Sequence, residues 1–254
     1  AVPSERFEST LPYTRSIAHA SGWQWRIPLT HRNGNGLVYS SSYLSDDDAH
    51  QTLMSNLDSK PLDEARKIQF QTGRTTQQWH KNVVSVGLSS GFLEPLESTS
   101  IHLIQSAIVR LLKMFPNETI EQSVIDAYNE ESKAEFATIA DFIILHYHVN
   151  ERHDSDFWKD RREMAIPDRL KQKIALFRSS GAIFNDPLDI FRDASWLQVM
   201  LGQGIEPQGY HPAANVPSEK QLLAVMQKIQ TAKQQPLGQM LSHDEFLARF
   251  TKQG

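Results

Sequence analysis

The central loop of the chain reads Gly87-Leu88-Ser89-Ser90-Gly91-Phe92-Leu93-Glu94-Pro95-Leu96-Glu97-Ser98-Thr99. A short apolar run at residues 82–86 precedes it and predicts a buried strand, after which glycine and proline mark a loop. Ser98 or Thr99 can cap the helix that follows, whose apolar residues recur at helical spacing until Pro116 stops it. Such a strand–loop–helix junction recurrently binds ligands, because free N–H groups and the helix dipole attract negative charge.

Toward the N-terminus the pattern predicts a β-hairpin. Residues 22–29 alternate large apolar and polar side chains, the period of a half-buried strand with Trp23 and Trp25 on one face. Two Asn-Gly pairs within residues 33–36 predict the turn, and a second strand follows over 37–43. Ser45 is expected to cap a helix with an acidic first turn. Residues 67–73 predict one more strand.

Beyond Pro116 the pattern is mostly helical. Helices are predicted near residues 118–133, 134–150, 167–179, 187–201, 218–233 and 243–251. The sequence therefore predicts an α+β fold, in which a β-rich N-terminal part (residues 1–116) packs on a mostly helical C-terminal part (residues 117–254).

Composition excludes several classes of function. The 254 residues carry 26 Lys and Arg against 30 Asp and Glu, a net charge of -4, so the basic excess of a dedicated nucleic-acid binder is absent. No apolar run is long enough for a membrane span. With no cysteine, disulfides, thiolate metal sites and cysteine nucleophiles are excluded. We expect a cytoplasmic protein with neither nucleic-acid nor membrane partners.

The candidate chemistry lies in the central loop. Glu94 and Glu97 have apolar neighbours, which suits general acid–base work or a hydrogen bond to a substrate N–H, although a carboxylate there can also simply stabilise the helix dipole. Thr99 and Ser100 could hold a small anion through their backbone N–H groups. His146 and His148 lack the spacing of a metal site, so we expect packing or surface histidines and no metal.

The order of the motifs resembles a known family. Three blocks carry the resemblance: Trp-x-Trp-x-Ile-Pro at residues 23–28, then the central loop with Glu97, and finally Asp141-Phe142-Ile143 with His146-Tyr147, Arg152 and Phe157-Trp158. Together they resemble the C-terminal half of the flavin-dependent tryptophan halogenases, and the resemblance covers nearly the whole chain. It implies the C-terminal half of a flavin-monooxygenase-like fold, with residues 1–116 facing substrate and flavin and carrying the halide loop.

In that family FAD, reduced by a separate and transiently bound flavin reductase, reacts with dioxygen and chloride or bromide. The hypohalous acid so formed halogenates an electron-rich aromatic substrate, commonly an indole. The resemblance implies that Glu97 is the essential catalytic glutamate, with Ser98 beside it near the substrate. Thr99 and Ser100 match the halide-binding pair, although many relatives have glycine at the second position. Leu88 and Ile101 flank the loop where the backbone meets the flavin, and the Trp23–Trp25 strand is implied to keep substrate away from it.

Several features depart from the family pattern. The flavin fingerprint Gly-x-Gly-x-x-Gly is absent, and no lysine lies in surroundings that resemble those of the catalytic lysine. The chain also starts at Ala1, without Met. We therefore expect a C-terminal fragment that is inactive alone and needs the N-terminal half of the same protein. Trp196 and Leu197 stand where tryptophan-specific members carry two tyrosines, which argues against free tryptophan as substrate.

Two other functions stay open at this point. A flavin monooxygenase-like enzyme uses a similar strand, loop and helix against its cofactor, although Glu97 and the Trp-x-Trp-x-Ile-Pro strand argue against it. The chain could also be a non-catalytic module that kept the fold and now binds an aromatic molecule or a partner.

Overall fold

The strands of the protein are short. A computed structural model describes residues 1–184 and 187–250. Within these ranges the strands are β1 (Val2–Ser4), β2 (Arg15–His19), β3 (Gly22–Pro28), β4 (Asn33–Tyr39), β5 (Gly73–Arg74), β6 (Trp79–His80), β7 (Val83–Val84) and β8 (Gly91–Phe92).

Helices account for most of the remaining structure. They are α1 (Asp46–Ser55), α2 (Ser100–Lys113), α3 (Gln122–His148), α4 (Asp156–Glu163), α5 (Asp168–Ser180), α6 (Asp193–Gly202), α7 (Glu219–Gln234) and α8 (His243–Phe250), with 3₁₀ turns at Gly87–Ser89, Pro212–Asn215 and Gln235–Gln239. The predicted α+β class is confirmed, with strands early in the chain and helices after them. No described helix is long and apolar enough to cross a bilayer.

The chain forms two compact units. The first contains residues 1–68, residues 153–159 and the chain from Pro212 onward, and the second contains residues 69–152 and 160–211. The functional division at residue 116 stays a prediction.

The first unit is built on a four-stranded antiparallel sheet in the order β1-β4-β3-β2. The predicted hairpin is confirmed, but its turn lies at residues 29–32, where the Leu29 N–H donates to the Arg32 carbonyl at 2.8 Å. The Asn-Gly pairs belong to β4 instead. There Gly36 opposes Trp25, and a Cβ on Gly36 would lie 2.3 Å from the Trp25 ring. Gly36 therefore leaves space for the Trp25 indole and does not form the turn.

The polar face of β3 is buried, which the alternation did not predict. Arg26 is fully buried and forms an ion pair with Asp58, while its Nη2 donates to the Asn56 carbonyl at 2.7 Å. Gln24, also buried, donates to the same carbonyl at 3.3 Å. Satisfied hydrogen bonds let these side chains lie inside the unit, because every donor that loses water gains a protein acceptor.

Helix α1 begins as predicted, since the Ser45 side chain accepts a hydrogen bond from the Asp48 N–H. The predicted strand over residues 67–73 is wrong. Only Gly73–Arg74 pair, with Phe92 and Gly91, and Phe70 lies edge-on to Phe92 at 5.2 Å. The Phe70 side chain thus contacts Phe92 although its backbone pairs with no strand.

The helices beyond Pro116 differ from the prediction in three places. One helix, α3, replaces the two predicted over 118–150, because the sequence there contains no glycine or proline to break it. Helix α4 was missed. Helix α6 begins at Asp193, later than the predicted 187, and residue 251, the end predicted for the last helix, lies outside the described residues.

The α2 helix turns a different face inward from the one its apolar spacing predicted. Leu103, Ala107 and Arg110 are buried, whereas Ile101 and Leu112 are exposed. Arg110 points inward because its guanidinium donates to the buried carboxylate of Glu135 on α3 at 2.6 Å. The inward face of α2 therefore includes a buried ion pair, which the apolar spacing did not predict.

Two apolar clusters of this unit surround the C-terminal half of α3. One joins Leu103, Phe136, Ile139 and Ile143 to partly buried Leu93, Leu96, Tyr147, Ile190 and Phe191. The other joins Phe142, Leu145, Val149, Ile166, Leu170, Ile174, Phe177, Trp196, Met200 and Ile205. The central loop is therefore attached to a core that α3 organises.

Candidate functional site

The loop between β8 and α2 is held by its leucines. Leu93 and Leu96 pack into the cluster on α3, while Glu94 and Glu97 follow each of them by one residue. Burying the two leucines orders the loop backbone and so restricts where the adjacent carboxylates can reach.

Two consecutive residues in the last turn of α3 contact the two carboxylates. The Tyr147 hydroxyl lies 2.8 Å from both carboxylate oxygens of Glu94. Nε2 of His146 lies 3.1 Å from Oε1 of Glu97, with side chains that are 17% and 35% exposed. Both glutamates are thus paired with α3, and the Glu97 carboxylate remains accessible to a small molecule.

The backbone at the second glutamate is strained. Glu97 has φ 68° and Ser98 has φ 52°, both in the left-handed region that side chains with a Cβ avoid. Each such residue costs about 1–2 kcal/mol. The Ser98 N–H donates to the Pro95 carbonyl at 2.9 Å and closes this tight turn. Strain of this kind persists where the surroundings enforce it, and it clusters at functional sites.

The turn leads directly into the N-terminus of α2. The first bond of the helix runs from the Leu103 N–H to the Thr99 carbonyl at 3.0 Å, and the Thr99 side chain makes no capping hydrogen bond. The N–H groups of Ser100, Ile101 and His102 therefore have no acceptor within the helix. Thr99 is buried and Ser100 is exposed. Free donors and the helix dipole favour an anion at this end.

An ion network around the buried Arg110–Glu135 pair contacts the same helix. Glu135 on α3 accepts from Arg110 and contacts His102 Nε2 at 3.2 Å, and Arg110 also reaches Glu131 at 3.3 Å. The guanidinium lies 5.5 Å from the ring centre of Tyr128. Because His102 belongs to the first turn of α2, this network sets the orientation of the helix start.

Leu88 and Ile101 expose apolar side chains on the two segments that flank the loop. Leu88 lies in the 3₁₀ turn Gly87–Ser89 and is 79% exposed, and Ile101 in the first turn of α2 is 71% exposed. Large apolar side chains left in water at neighbouring elements are typical of a surface that contacts another apolar group.

Trp196 and Leu197 lie on α6, and their environments differ. Trp196 is fully buried, donates from Nε1 to the Phe191 carbonyl at 3.1 Å, and has the Lys173 ammonium 3.8 Å from its ring centre. It lines a cavity of about 260 Å³ together with Asp141 and Asp189. Burial raises the pKa of Asp141, and the Arg169 guanidinium opposes that shift. Leu197 is exposed. The described residues contain no cluster of three metal-ligating side chains.

Comparison with known proteins identifies the family. Residues 1–219 match the family described as tryptophan halogenase. The chain belongs to the tryptophan halogenase family. Its membership agrees with the resemblance carried by the Trp-x-Trp-x-Ile-Pro strand and the Glu97 loop.

Solved structures and curated sequences of halogenases agree with this assignment. The chain is 44% identical to Xcc4156, a flavin-dependent halogenase from Xanthomonas campestris, with a TM-score of 0.95 over 98% of this chain and 50% of that one. It is 44% identical to BrvH from Brevundimonas sp. BAL3, with a TM-score of 0.93 over 97% of this chain and 51% of that one. The tryptophan 6-halogenase SttH of Streptomyces toxytricini is 41% identical over 76% of this chain and 38% of its own length. The chain thus spans about half the length, or less, of these halogenases.

The sequence analysis did not identify the two α3 residues that contact the central loop. His146 was expected to be a packing or surface histidine, and Tyr147 was noted only as part of the family resemblance. The contacts join residues 53 apart in the case of Glu94 and Tyr147. A His-Tyr pair in the last turn of a helix, in a chain with two carboxylates in one apolar loop, is the sequence signal that points to them.

Proposed function

We propose that this chain provides the halide- and substrate-facing part of an FAD-dependent halogenase for electron-rich, indole-type aromatic compounds. The observation that carries the proposal is the sequence of features at residues 97–101, where an accessible carboxylate on a strained turn directly precedes free helix N–H groups. A general base and an anion site lie within one short segment. Cytoplasmic location, where a reductase supplies reduced flavin, belongs to the same proposal.

The residues present fit a flavin. Leu88 and Ile101 offer exposed apolar contacts for an aromatic ring, and the start of α2 offers N–H donors beside them. When bound, reduced FAD with dioxygen and a halide supplies hypohalous acid. Thr99 and Ser100 hold the chloride or bromide through their backbone N–H groups, so the serine in place of the usual glycine leaves the donors intact.

Glu97 acts on the aromatic substrate. In electrophilic halogenation the ring carbon forms a bond to the halogen while the halogen–oxygen bond of hypohalous acid breaks. The ring proton then passes to a base, which delivers it to the leaving hydroxide to give water. The Glu97 carboxylate accepts that proton and stabilises the positive charge that develops on the ring. Ser98, which is exposed beside it, can donate a hydrogen bond to the substrate.

The substrate is an indole or another apolar aromatic rather than free tryptophan. Trp196 and Leu197 occupy the positions of the tyrosine pair that holds the amino acid in tryptophan-specific members, and neither side chain can accept a hydrogen bond from its ammonium group. Trp196 lines the cavity on α6, and Leu197 is exposed next to it.

The flavin fingerprint and the catalytic lysine come from the part of the family's length that this chain does not span. Alone, the 254-residue chain is then expected to bind FAD weakly and to halogenate nothing. A fluorescence titration with FAD measures this directly. Tight, stoichiometric binding by the chain alone would contradict the fragment hypothesis without touching the role of Glu97.

The proposal is tested in the complete enzyme by replacing Glu97 and, as a matched control, Glu94. Glu97→Gln removes the base and should abolish product formation, whereas Glu94→Gln keeps an acceptor for Tyr147 and should retain most of it. Product formation should also require chloride or bromide. Hydroxylated product without halide would indicate a flavin monooxygenase, and no product with any halide would favour a non-catalytic module.

A further inference from the structure

The imidazole of His146 lies between a backbone carbonyl and the carboxylate of Glu97. Nδ1 is 2.8 Å from the Phe142 carbonyl oxygen, one turn back along α3. Nε2 is 3.1 Å from Oε1 of Glu97. The ring lies edge-on to Phe142, with 4.9 Å between ring centres and an interplanar angle of 90°. The ring is therefore oriented by α3 itself, independently of the loop.

These contacts determine how many protons the ring needs. A carbonyl oxygen only accepts hydrogen bonds, so Nδ1 must carry a proton. A neutral imidazole would then present its lone pair on Nε2 to the negative carboxylate oxygen, which is repulsive at this distance. The contact is favourable only when a second proton lies between Nε2 and Oε1. Since imidazole is a stronger base than a carboxylate, that proton belongs on Nε2.

We propose that His146 is a positioning residue for Glu97 and acts as an imidazolium. Its charge holds Oε1 and so orients the carboxylate for the substrate. The inference rests on the proposed function of Glu97 for its catalytic meaning, but the proton count rests on the geometry alone.

The neighbouring carboxylate provides an internal contrast. Glu94 contacts the hydroxyl of Tyr147, a neutral donor, at 2.8 Å. Glu97, on the strained turn before α2, is instead paired with the His146 ring, which can carry a charge. A loop that only needed anchoring could use a neutral donor at both positions.

Long-range ¹H–¹⁵N correlation spectra of the 254-residue chain test the proton count without any cofactor. The His146 signals are assigned among the ten histidines by their absence in His146→Gln. At neutral pH we expect both ring nitrogens of His146 to be protonated in the wild type. In Glu97→Gln, whose amide can donate to a bare Nε2, we expect a proton on Nδ1 alone. A wild-type ring protonated on only one nitrogen would overturn the proposal. This measurement is made on the wild-type chain, so the only variant that must fold is His146→Gln, which is used for the assignment.

Kinetics of the complete enzyme test the positioning role. His146→Phe should lower kcat by up to about 100-fold with little change in KM, since a misplaced catalytic group slows the chemical step rather than binding. His146→Gln retains an N–H donor and should recover most of that loss. Equal loss in both variants, or loss in neither, would contradict positioning by a donated proton. The proposed function would fail separately, if Glu97→Gln left halogenation unchanged.

Discussion

The Tyr147 hydroxyl bridges both carboxylate oxygens of Glu94, at 2.8 Å each. This contact attaches the central loop to the end of α3 three residues before the strained turn at Glu97. Hydrogen bonds to an ionised acceptor are stronger than those between neutral groups. The pair is therefore a principal anchor of the loop.

Tyr147→Phe should weaken this anchor and lower the free energy of unfolding by about 1.5–3 kcal/mol, the range for a hydrogen bond to a charged group. Denaturant unfolding measures the change. Tyr13→Phe is the control, because Tyr13 is exposed and its hydroxyl makes no hydrogen bond within the described residues. Equal effects of the two substitutions would refute the anchoring role.

Ser98→Gly should stabilise the protein by up to about 1 kcal/mol. Glycine adopts the left-handed region without the steric cost that serine bears at φ 52°, although it also loses more entropy on folding. Ser106→Gly, within α2, makes the same chemical change where φ is helical, and it should destabilise by about 0.5 kcal/mol because glycine has the lower helix propensity. Thermal unfolding of both variants shows whether each substitution raises or lowers the stability. A loss of stability of similar size in both would argue against strain at Ser98.

Gly36→Ala should destabilise the β-sheet unit by about 1–3 kcal/mol, the usual cost of overpacking. The new Cβ would lie 2.3 Å from the Trp25 ring, so the indole has to move. The quantity to measure is the free energy of unfolding, together with tryptophan fluorescence. Gly202→Ala, which meets nothing within 4 Å at the end of α6, is the control and should be neutral or slightly stabilising. A neutral Gly36→Ala would mean that Trp25 does not depend on this glycine.

Tyr39 should ionise at a higher pH than an ordinary tyrosine. A hydrogen bond to Asp46 at 2.6 Å is the main cause that raises the pKa of Tyr39 to about 12. Because the folded pKa lies above the unfolded value of about 10, the stabilisation is fully present below pH 10 and is lost as the pH rises through about 12.

Phenolate absorbance measured against pH tests this value. Asp46→Asn should move one of the six tyrosines to a lower titration midpoint, whereas Asp47→Asn, at the exposed neighbouring position, should not. An identical titration curve for wild type and Asp46→Asn would show that the hydrogen bond does not control Tyr39.

Local signals in the sequence predicted the local structure. The Ser45 cap and the hairpin of β3 and β4 follow from residues within a few positions of each other, and both are present. The position of the hairpin turn could not be predicted, because Gly36 serves the Trp25 ring on the opposite strand rather than its own φ angle. An Asn-Gly pair can therefore mark a hairpin turn or a glycine that leaves space for a side chain on the neighbouring strand, and the sequence alone does not distinguish the two.

The candidate site was likewise predictable where its residues are close in sequence, and not where they are far apart. The loop around Glu97 and the helix start at Thr99 are contiguous in sequence, so their candidate chemistry could be predicted from neighbouring residues. The family resemblance then supplied the proposed roles. The contact of His146 with Glu97 depends on how α3 packs against the loop, which no local pattern encodes. The inward-facing Arg110 is a second example, because only its partner Glu135 explains why a charged residue is buried on α2.

We propose that the turn at Glu97 and the start of α2 form a halide site. Anomalous diffraction from crystals of the complete enzyme with FAD and bromide tests it most directly, because bromide can be located by its own scattering. We expect an anomalous peak within hydrogen-bond reach of the Thr99 and Ser100 N–H groups. A crystal saturated with bromide that shows its peaks elsewhere, and none at the start of α2, would contradict it.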